Sequence, residues 1–453
     1  TDVASYTVYF NLNNPEHEIA KITPDEIQIM KNGGNEDGII LDGSRKMKPL
    51  KFLPDADLEE ADRLLVDLLV GNMTCPQGDR FLILSWLSCF LLIDFAGTRP
   101  MTRFEGSAGS GKTTASKITS TLLYGEPQHK KATDAANYTD GSQNPLIVLD
   151  NIEVKQMTED LTTFMLTSIT GIAKEKRKSG TDSETITERT KCLLNTTGIE
   201  PLCGELSEIL SRSFVINFDL ANQASDCFLE SEVISAIQQN RDLIISAIMK
   251  RTSHVLAMIR DGAQKQVMRL LHRTMPTHGK RRCNDYLSLM YLMMLAGSEE
   301  HEVTTGLEDL SPLFIEQIHS INDTSQEMAR ESNPIATALA SLFHAYQNAV
   351  ELDEKARYGE DDRANHVVGF IERYQVRFEN ENTMEPVSAG RLLAALRRVG
   401  REFNLEFEYK KPAQLGRRIS NDLDVIRDAG FDIDRQRNAH TKNFEYRICH
   451  KSR

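Results

Sequence analysis

Between Asp55 and Leu69 apolar residues recur every three or four positions, at Leu58, Ala61, Leu64, Leu65, Leu68 and Leu69, and this spacing predicts an amphipathic helix. The next apolar run, FLILSWLSCFLLI from Phe81 to Ile93, is hydrophobic all round and predicts a buried helix; it is too short to cross a bilayer and ends at Asp94. Before Phe52 the pattern is alternating: SYTVYFNL, EIQIM, and the GGNEDG turn ahead of IILDG predict a small β-rich segment. From about residue 98 to Asp219, strand-like runs (PMTRFE, LIVLD, KCLLNTTG, SFVINF) alternate with helical patterns, an order that predicts a parallel sheet. The chain then turns mostly helical from Glu230 to about Asn348, broken by the basic stretch His272–Arg282, and Glu351–Glu385 reads as a charged, loosely structured connector with one helix at His366–Arg373. The expected division is 1–54 (β-rich), 55–97 (helical lead-in), 98–225 (α/β core), 226–350 (helical), 351–385 (connector) and 386–453 (C-terminal module).

The C-terminal module combines both periodicities. Leu392, Leu393 and Leu396 mark one helix, and Pro412–Gly430 a second, with Leu415, Ile419, Leu423 and Ile426 inside and Gly430 as its stop. FDIDR and FEYRI follow as strands around the turn RNAHTKN. This helix, helix, strand, wing, strand order is that of a winged helix. In that reading Gln414, Arg417, Arg418 and Asn421 lie on the outward face of a recognition helix, with Arg437 and Lys442 on the wing. Winged helices also dock proteins, so DNA and protein remain competing partners here.

Composition adds limits. The 453 residues suit two to four domains, and 40% hydrophobic residues provide ample core. Seven cysteines, with no C-x-x-C pair and no His at metal spacing, point to free thiols in a reducing, cytoplasmic setting and to no zinc site. No signal peptide is visible; Thr1 rather than Met opens the chain, which reads as a processed protein or a piece of a longer one, with room for an upstream domain. The net charge of −13 argues against a protein coated in nucleic acid. Residues 386–453, however, carry fifteen Lys and Arg against nine Asp and Glu, so a basic module hangs on an acidic body.

The candidate chemistry starts at GSAGSGKTT, Gly106–Thr114, which fills G-x-x-x-x-G-K-[ST]. Gly106, Gly109 and Gly111 can adopt backbone angles closed to other residues, so that N–H groups of Gly106, Ser107, Ala108, Gly109, Ser110 and Gly111 close around a polyphosphate. Lys112 then reaches the β/γ-phosphates of ATP, Thr113 offers a hydroxyl to Mg²⁺, and Thr114 completes the loop; Ala115, Ile118 and Leu122 form the buried face of the helix behind it. A Gly/Ser-rich linker is the competing reading, which the flanking strand and helix disfavour. In LIVLDN, a buried strand delivers Asp150 to Mg²⁺. The residue after it is Asn151 rather than Glu and the nearest glutamate is Glu153, which leaves the water-activating base open and suits a slow or partner-activated ATPase.

Three further features surround this pair. KCLLNTTG ends a strand in Asn195, placed in an AAA+ type core between the phosphate loop and the acidic strand to orient water, or else simply capping its strand. Arg212, just before the strand SFVINF, is placed as an arginine finger for a neighbouring subunit; a solvated surface arginine is the other reading. Lys174, Lys176, Arg177 and Lys178 precede a turn at Ser179–Ser183 and a Thr-rich return strand, a β-hairpin whose basic arm grips DNA or is only a solvated face.

Taken in order, FLPDADLEEADRLL, SWL, RPMTRFEGSAGSGKTTAS, VLDNIE, KRKSGTDSE, LLNTTGIE, LSRSFVINF, RRCNDY, ESNPIATAL and LGRRI resemble the AAA+ ATPases, related to superfamily 3 helicases, that phages and integrated elements encode beside or fused to primases. The likeness spans about Phe52 to Ile448 and leaves the β-rich start poorly covered. It implies an α/β P-loop AAA+ core with flanking helical regions and a C-terminal winged helix. It also implies a homo-oligomeric, hexameric ring with ATP hydrolysis between subunits, the Lys174–Lys178 hairpin facing single-stranded DNA, and replication of a mobile element. Members share the Asp–Asn pair seen at Asp150 and Asn151. The first expectation is therefore a Mg²⁺/ATP-dependent DNA-translocating helicase without membrane contact. The second is an ATP-gated scaffold or loader for a primase that does not unwind, and the third a defence ATPase.

Overall fold

The structure, a computed structural model, describes residues 1–128, 134–153, 156–177, 185–190, 192–199, 207–224, 228–274, 283–297, 310–320, 333–358, 365–403, 405, 407, 409–438 and 444–451. The chain divides into two compact units, Thr1–Pro201 with Glu208–Asn322, and Leu202–Ser207 with Asp323–Arg453.

The first unit opens with a three-stranded antiparallel meander, β1 (Val8–Asn11), β2 (Glu18–Ile22) and β3 (Ile27–Lys31). The middle strand is EIAKI, which the sequence reading missed, while Ile39–Leu41 forms no strand. Helix α1 (Leu58–Leu68) starts where Asp57 caps it, its carboxylate accepting from the amides of Glu59 and Glu60 at 2.9 and 3.1 Å, and buries Ala61, Leu65 and Leu68. The apolar run divides: α2 (Gln77–Ser88) stops at Ser88 and the chain continues in 3₁₀ turns to Phe95. All-round hydrophobicity fixed its burial without fixing its helical length.

The central sheet consists of β4 (Met101–Glu105), β5 (Leu146–Leu149), β8 (Leu193–Gly198) and β9 (Ser213–Asn217), all parallel, in the order β5-β8-β4-β9. Helices α3 (Lys112–Tyr124), α4 (Asp134–Gln143) and α5 (Glu159–Thr170) connect its first strands, as expected for a mixed α/β unit. Thr158 caps α5 through Leu161 N at 3.1 Å, and Leu161, Phe164 and Met165 are buried. A separate two-stranded hairpin, β6 (Ala173–Arg177) with β7 (Thr185–Arg189), leaves the sheet before β8, and the one-turn α6 (Ser207–Leu210) precedes β9.

Helix α7 (Glu230–Arg260) packs along α3 and is fastened to it twice. Glu230 accepts from Thr114 Oγ1 at 2.5 Å and Lys117 Nζ at 2.7 Å, and the buried Arg241 guanidinium donates to the carbonyls of Leu122 and Leu123 at 3.0 and 2.6 Å. Helices α8 (Ala263–Thr274), α9 (Asn284–Leu295) and α10 (312–320) complete the core around Trp86, Leu256, Leu271 and Phe314. No helix among the described residues is long and apolar enough to cross a membrane.

The second unit gathers α11 (Pro334–Tyr358), α12 (His366–Tyr374), α13 (Ala389–Glu402), α14 (Pro412–Asn421) and α15 (Leu423–Asp428) around an antiparallel sheet. Its strands β10 (Phe378–Asn380), β11 (Thr383–Ser388), β12 (Phe431–Arg437) and β13 (Phe444–His450) lie in the order β10-β11-β13-β12. The stretch 351–385, read as a connector, is built into this unit: Phe370 and Tyr374 of α12 lie in its core, with Val367 and Ile371 packed against it, at helical spacing inside a charged sequence. The helix expected over Pro412–Gly430 is broken at Asp422, whose buried carboxylate accepts from Arg418 Nε at 2.6 Å and Asn333 Nδ2 at 2.9 Å.

Candidate active site

The loop between β4 and α3 takes the conformation that its glycines permit. Gly106, Gly109 and Gly111 have φ of +144°, +79° and +98°, the region that side chains with a Cβ avoid. A Cβ on Gly106 would strike the Phe218 carbonyl and one on Gly111 the Thr74 hydroxyl, which itself donates to the Ser110 carbonyl. Lys112 turns its ammonium into the loop, donating to the carbonyls of Gly106 (2.7 Å) and Ser107 (2.6 Å) and to Ser110 Oγ (3.2 Å). Burial pushes its pKa below the ordinary lysine value, while the carboxylates of Glu153 and, less strongly, Asp150 pull it upward.

Parallel register carries Asp150 to the same end of the sheet. Val148 lies opposite Asn195 and Leu149 opposite Thr196, so Asp150 leaves β5 level with Thr197. Asp150 Oδ1 accepts from Thr113 Oγ1 at 3.2 Å and from Thr197 Oγ1 at 2.7 Å. The Thr197 hydroxyl also takes the amide of Asn151 at 2.8 Å, and Asn151 turns the chain with φ of +57°. Beyond that turn, Glu153 is anchored where Ile199 N donates to its Oε1 at 2.8 Å.

Asn195 is elsewhere. Two residues upstream of Thr197, it is 0% exposed, accepts from Ser116 Oγ at 2.8 Å and donates to Thr102 Oγ1 at 2.9 Å. Its amide fastens β8 to α3 and β4 and does not reach the open mouth of the loop.

Arg103 and Glu105 explain how so polar a strand sits at the centre of the sheet. Side chains two apart on a strand share a face, and Arg103 Nε meets Glu105 Oε1 at 3.1 Å with both residues buried. Arg103 Nη1 also donates to the carbonyls of Ile152 and Thr197, each at 2.8 Å, tying together the segments that carry Glu153 and the Asp150 contact. Sequence reasoning missed both the Arg103 tie and Thr197; the opposite charges at i and i+2 in MTRFE were the available signal.

Arg212 is not brought to this loop. Its carbonyl accepts from Met101 N at 3.2 Å, at the start of β4 and β9, so its backbone lies at the end of these strands opposite Gly106. The hairpin pairs Ala173 with Arg189 through Arg177 with Thr185; Lys174, Lys176 and Arg177 thus lie on its first strand, whereas Lys178 and the turn fall outside the described residues. In the second unit Arg417 is exposed on α14, and Arg418 is committed to Asp422.

The residues at the loop fit a nucleotide with Mg²⁺. A hydroxyl and one carboxylate 3.2 Å apart are the small protein share that Mg²⁺ takes when phosphate oxygens supply more of its shell. Among the described residues no group of three or more His, Cys, Asp or Glu forms an all-protein metal cage.

No protein-family model and no curated protein matches the chain by sequence. Among solved structures, the SCCmec type IV Cch active helicase aligns over 97% of this chain and 78% of its own, with a TM-score of 0.50 at 13% identity, a likeness of fold. The NrS-1 C-terminal region aligns over 98% of this chain and 96% of its own at 12% identity, but with a TM-score of only 0.39.

Proposed function

We propose that this chain is a Mg²⁺/ATP-dependent AAA+ motor that translocates along DNA, of the replicative helicase or initiator-helicase type found in phages and mobile elements. The observation that carries this reading is the convergence of Lys112, the Thr113–Asp150 pair and Thr197 at one end of a parallel sheet, with β8 inserted between the phosphate-loop strand and the acidic strand. The fold likeness to a helicase supports it.

In this reading the loop amides and Lys112 bind the triphosphate, while Thr113 and Asp150 hold Mg²⁺, which when bound draws charge from the phosphate oxygens. Thr197 keeps the Asp150 carboxylate aimed at Thr113. Glu153, anchored by Ile199 N and acting on the charge of Lys112, is the carboxylate we assign to the attacking water, the place that Asn151 cannot fill. Asn195 serves as a buried staple, with Thr197 as the polar group at the end of the strand. The remoteness of Arg212 from its own loop suits a finger that acts on a neighbour in a ring, and the hairpin's basic arm suits contact with single-stranded DNA in its channel. The basic stretch 386–453 is read as a winged helix.

ATP hydrolysis with and without single-stranded DNA tests the assignment. Lys112→Ala is expected to abolish DNA-stimulated turnover, and full retention would refute it. Asn151 in place of a glutamate favours the second reading, a weakly hydrolysing scaffold for a primase. Reversing Lys176, Arg177 and Lys178 separates the two: a motor loses DNA stimulation, whereas a scaffold keeps its partner.

A further inference from the structure

The second unit contains a cleft of 720 Å³ between α14 and the β12–β13 hairpin, floored by Ser388 to Gly390 at the start of α13. Its size lies within the range of roughly 300–1,000 Å³ typical of small-molecule sites. Two arginines face it from opposite walls, Arg417 on α14 and Arg435 on β12, and no carboxylate appears among its described lining residues. Arg435 lies 3.6 Å above the centroid of the Phe444 ring and donates to Ser420 Oγ at 3.3 Å, which holds the guanidinium and the ring as one layered shelf. Phe444 is 43% exposed, so part of its ring surface is open to a ligand. Among the described residues no carboxylate forms an ion pair with either arginine, in contrast to neighbouring Arg418, which pairs with Asp422.

We infer that this cleft binds a single strand of nucleic acid, with phosphates against Arg417 and Arg435 and an unpaired base on the Phe444 shelf. Charge complementarity selects the occupant: fixed positive charge without a competing carboxylate, in the basic part of an acidic chain. The ring adds strandedness. Phosphate contacts are alike on duplex and single strand, but a side chain can stack only on a base face that is free of neighbours. The inference rests on the proposed DNA-acting role and gives that role a second, nucleotide-independent grip.

The test is fluorescence anisotropy of the full chain, without ATP, against labelled oligo(dT) over a range of salt concentrations. R417A together with R435A should reduce the slope of log Kobs against log salt by about 1.4, at about 0.7 for each single-strand phosphate contact. F444A and the bulk-retaining F444L should each weaken binding by about 5- to 150-fold, the loss of one base stacked on an aromatic ring. R401A, an exposed arginine outside the cleft, should leave binding unchanged. Photocrosslinking with 5-iododeoxyuridine should label the peptide containing Phe444. Unchanged slope and affinity in these variants would overturn the inference. So would duplex DNA competing as well as oligo(dT), or polyglutamate displacing it equally, which would make the cleft a protein dock. Because binding is read without hydrolysis, failure here differs from failure of the motor assignment, in which Lys112→Ala would retain full turnover.

Discussion

Asn195→Ala separates a structural from a catalytic role for a residue whose sequence position suggests the latter. The side chain is 0% exposed and makes one bond to Ser116 and one to Thr102, both of them also 0% exposed. Truncation removes two hydrogen bonds and strands two buried hydroxyls. An abandoned buried donor or acceptor costs about 1–3 kcal/mol, and partial rotation of the hydroxyls brings the expected sum to about 2–4 kcal/mol. The assay is built into the chain. Trp86 is its only tryptophan, fully buried in the first unit with Nε1 donating to Pro100 O at 2.7 Å, so its fluorescence reports unfolding of that unit. With a urea dependence of about 1–3 kcal/mol/M, the midpoint should fall by about 0.7 M or more. Adding Ser116→Ala should restore about 1 kcal/mol by removing the stranded donor, a coupling measurable in a double-mutant cycle. If Asn195→Ala instead keeps the wild-type midpoint and loses DNA-stimulated turnover, the staple is wrong and the amide works on substrate.

Glu153→Gln should lower turnover by about 10²- to 10⁴-fold with ATP affinity retained, read by single-turnover hydrolysis beside equilibrium binding. Gly111→Ala should abolish nucleotide binding, because the new Cβ meets both a φ of +98° and the Thr74 hydroxyl; Gly109→Ala, at +79° but in open space, should cost only about 1–2 kcal/mol by denaturation. Asp79 is pushed up to about 6 by burial, so its folded pKa exceeds the unfolded value and its contribution to stability is lost as pH rises through about 6. Asp79→Asn should therefore stabilise the first unit by about 1–3 kcal/mol at pH 7–8 and by nothing below about pH 4, checked by urea unfolding at each pH.

The phosphate loop was legible because its chemistry is contiguous: Lys112 and Thr113 follow glycines whose positive φ the pattern requires. The acidic strand was legible for a similar reason, four apolar residues ending in Asp150. The polar partner on β8 was not, because KCLLNTTG offers Asn195, Thr196 and Thr197 with nothing local to choose among them. Only the register with β5 decides which one stands level with Asp150. Thr102, Arg103 and Glu105 make β4 polar for an inner strand, and it is the bond between Arg103 and Glu105 that allows the strand to be buried. Likewise 351–385 disguised Phe370 and Tyr374, core residues of α12, among surface charges.

The double fastening of α7 to α3 has a mechanical meaning. Glu230 grips the first turn of the phosphate-loop helix and Arg241 its last, so the two helices turn as one rigid piece. At 31 residues α7 is about 46 Å long, enough to run from the phosphate loop to the far side of the unit. That far end is coupled in turn to the N-terminal sheet, where Ser253 donates to Thr23 O at 2.6 Å and Arg260 pairs with Asp25 at 3.0 Å. One continuous helix thus joins the two ends of the phosphate-loop helix to the turn between β2 and β3, so the nucleotide loop and the N-terminal meander share a single structural member.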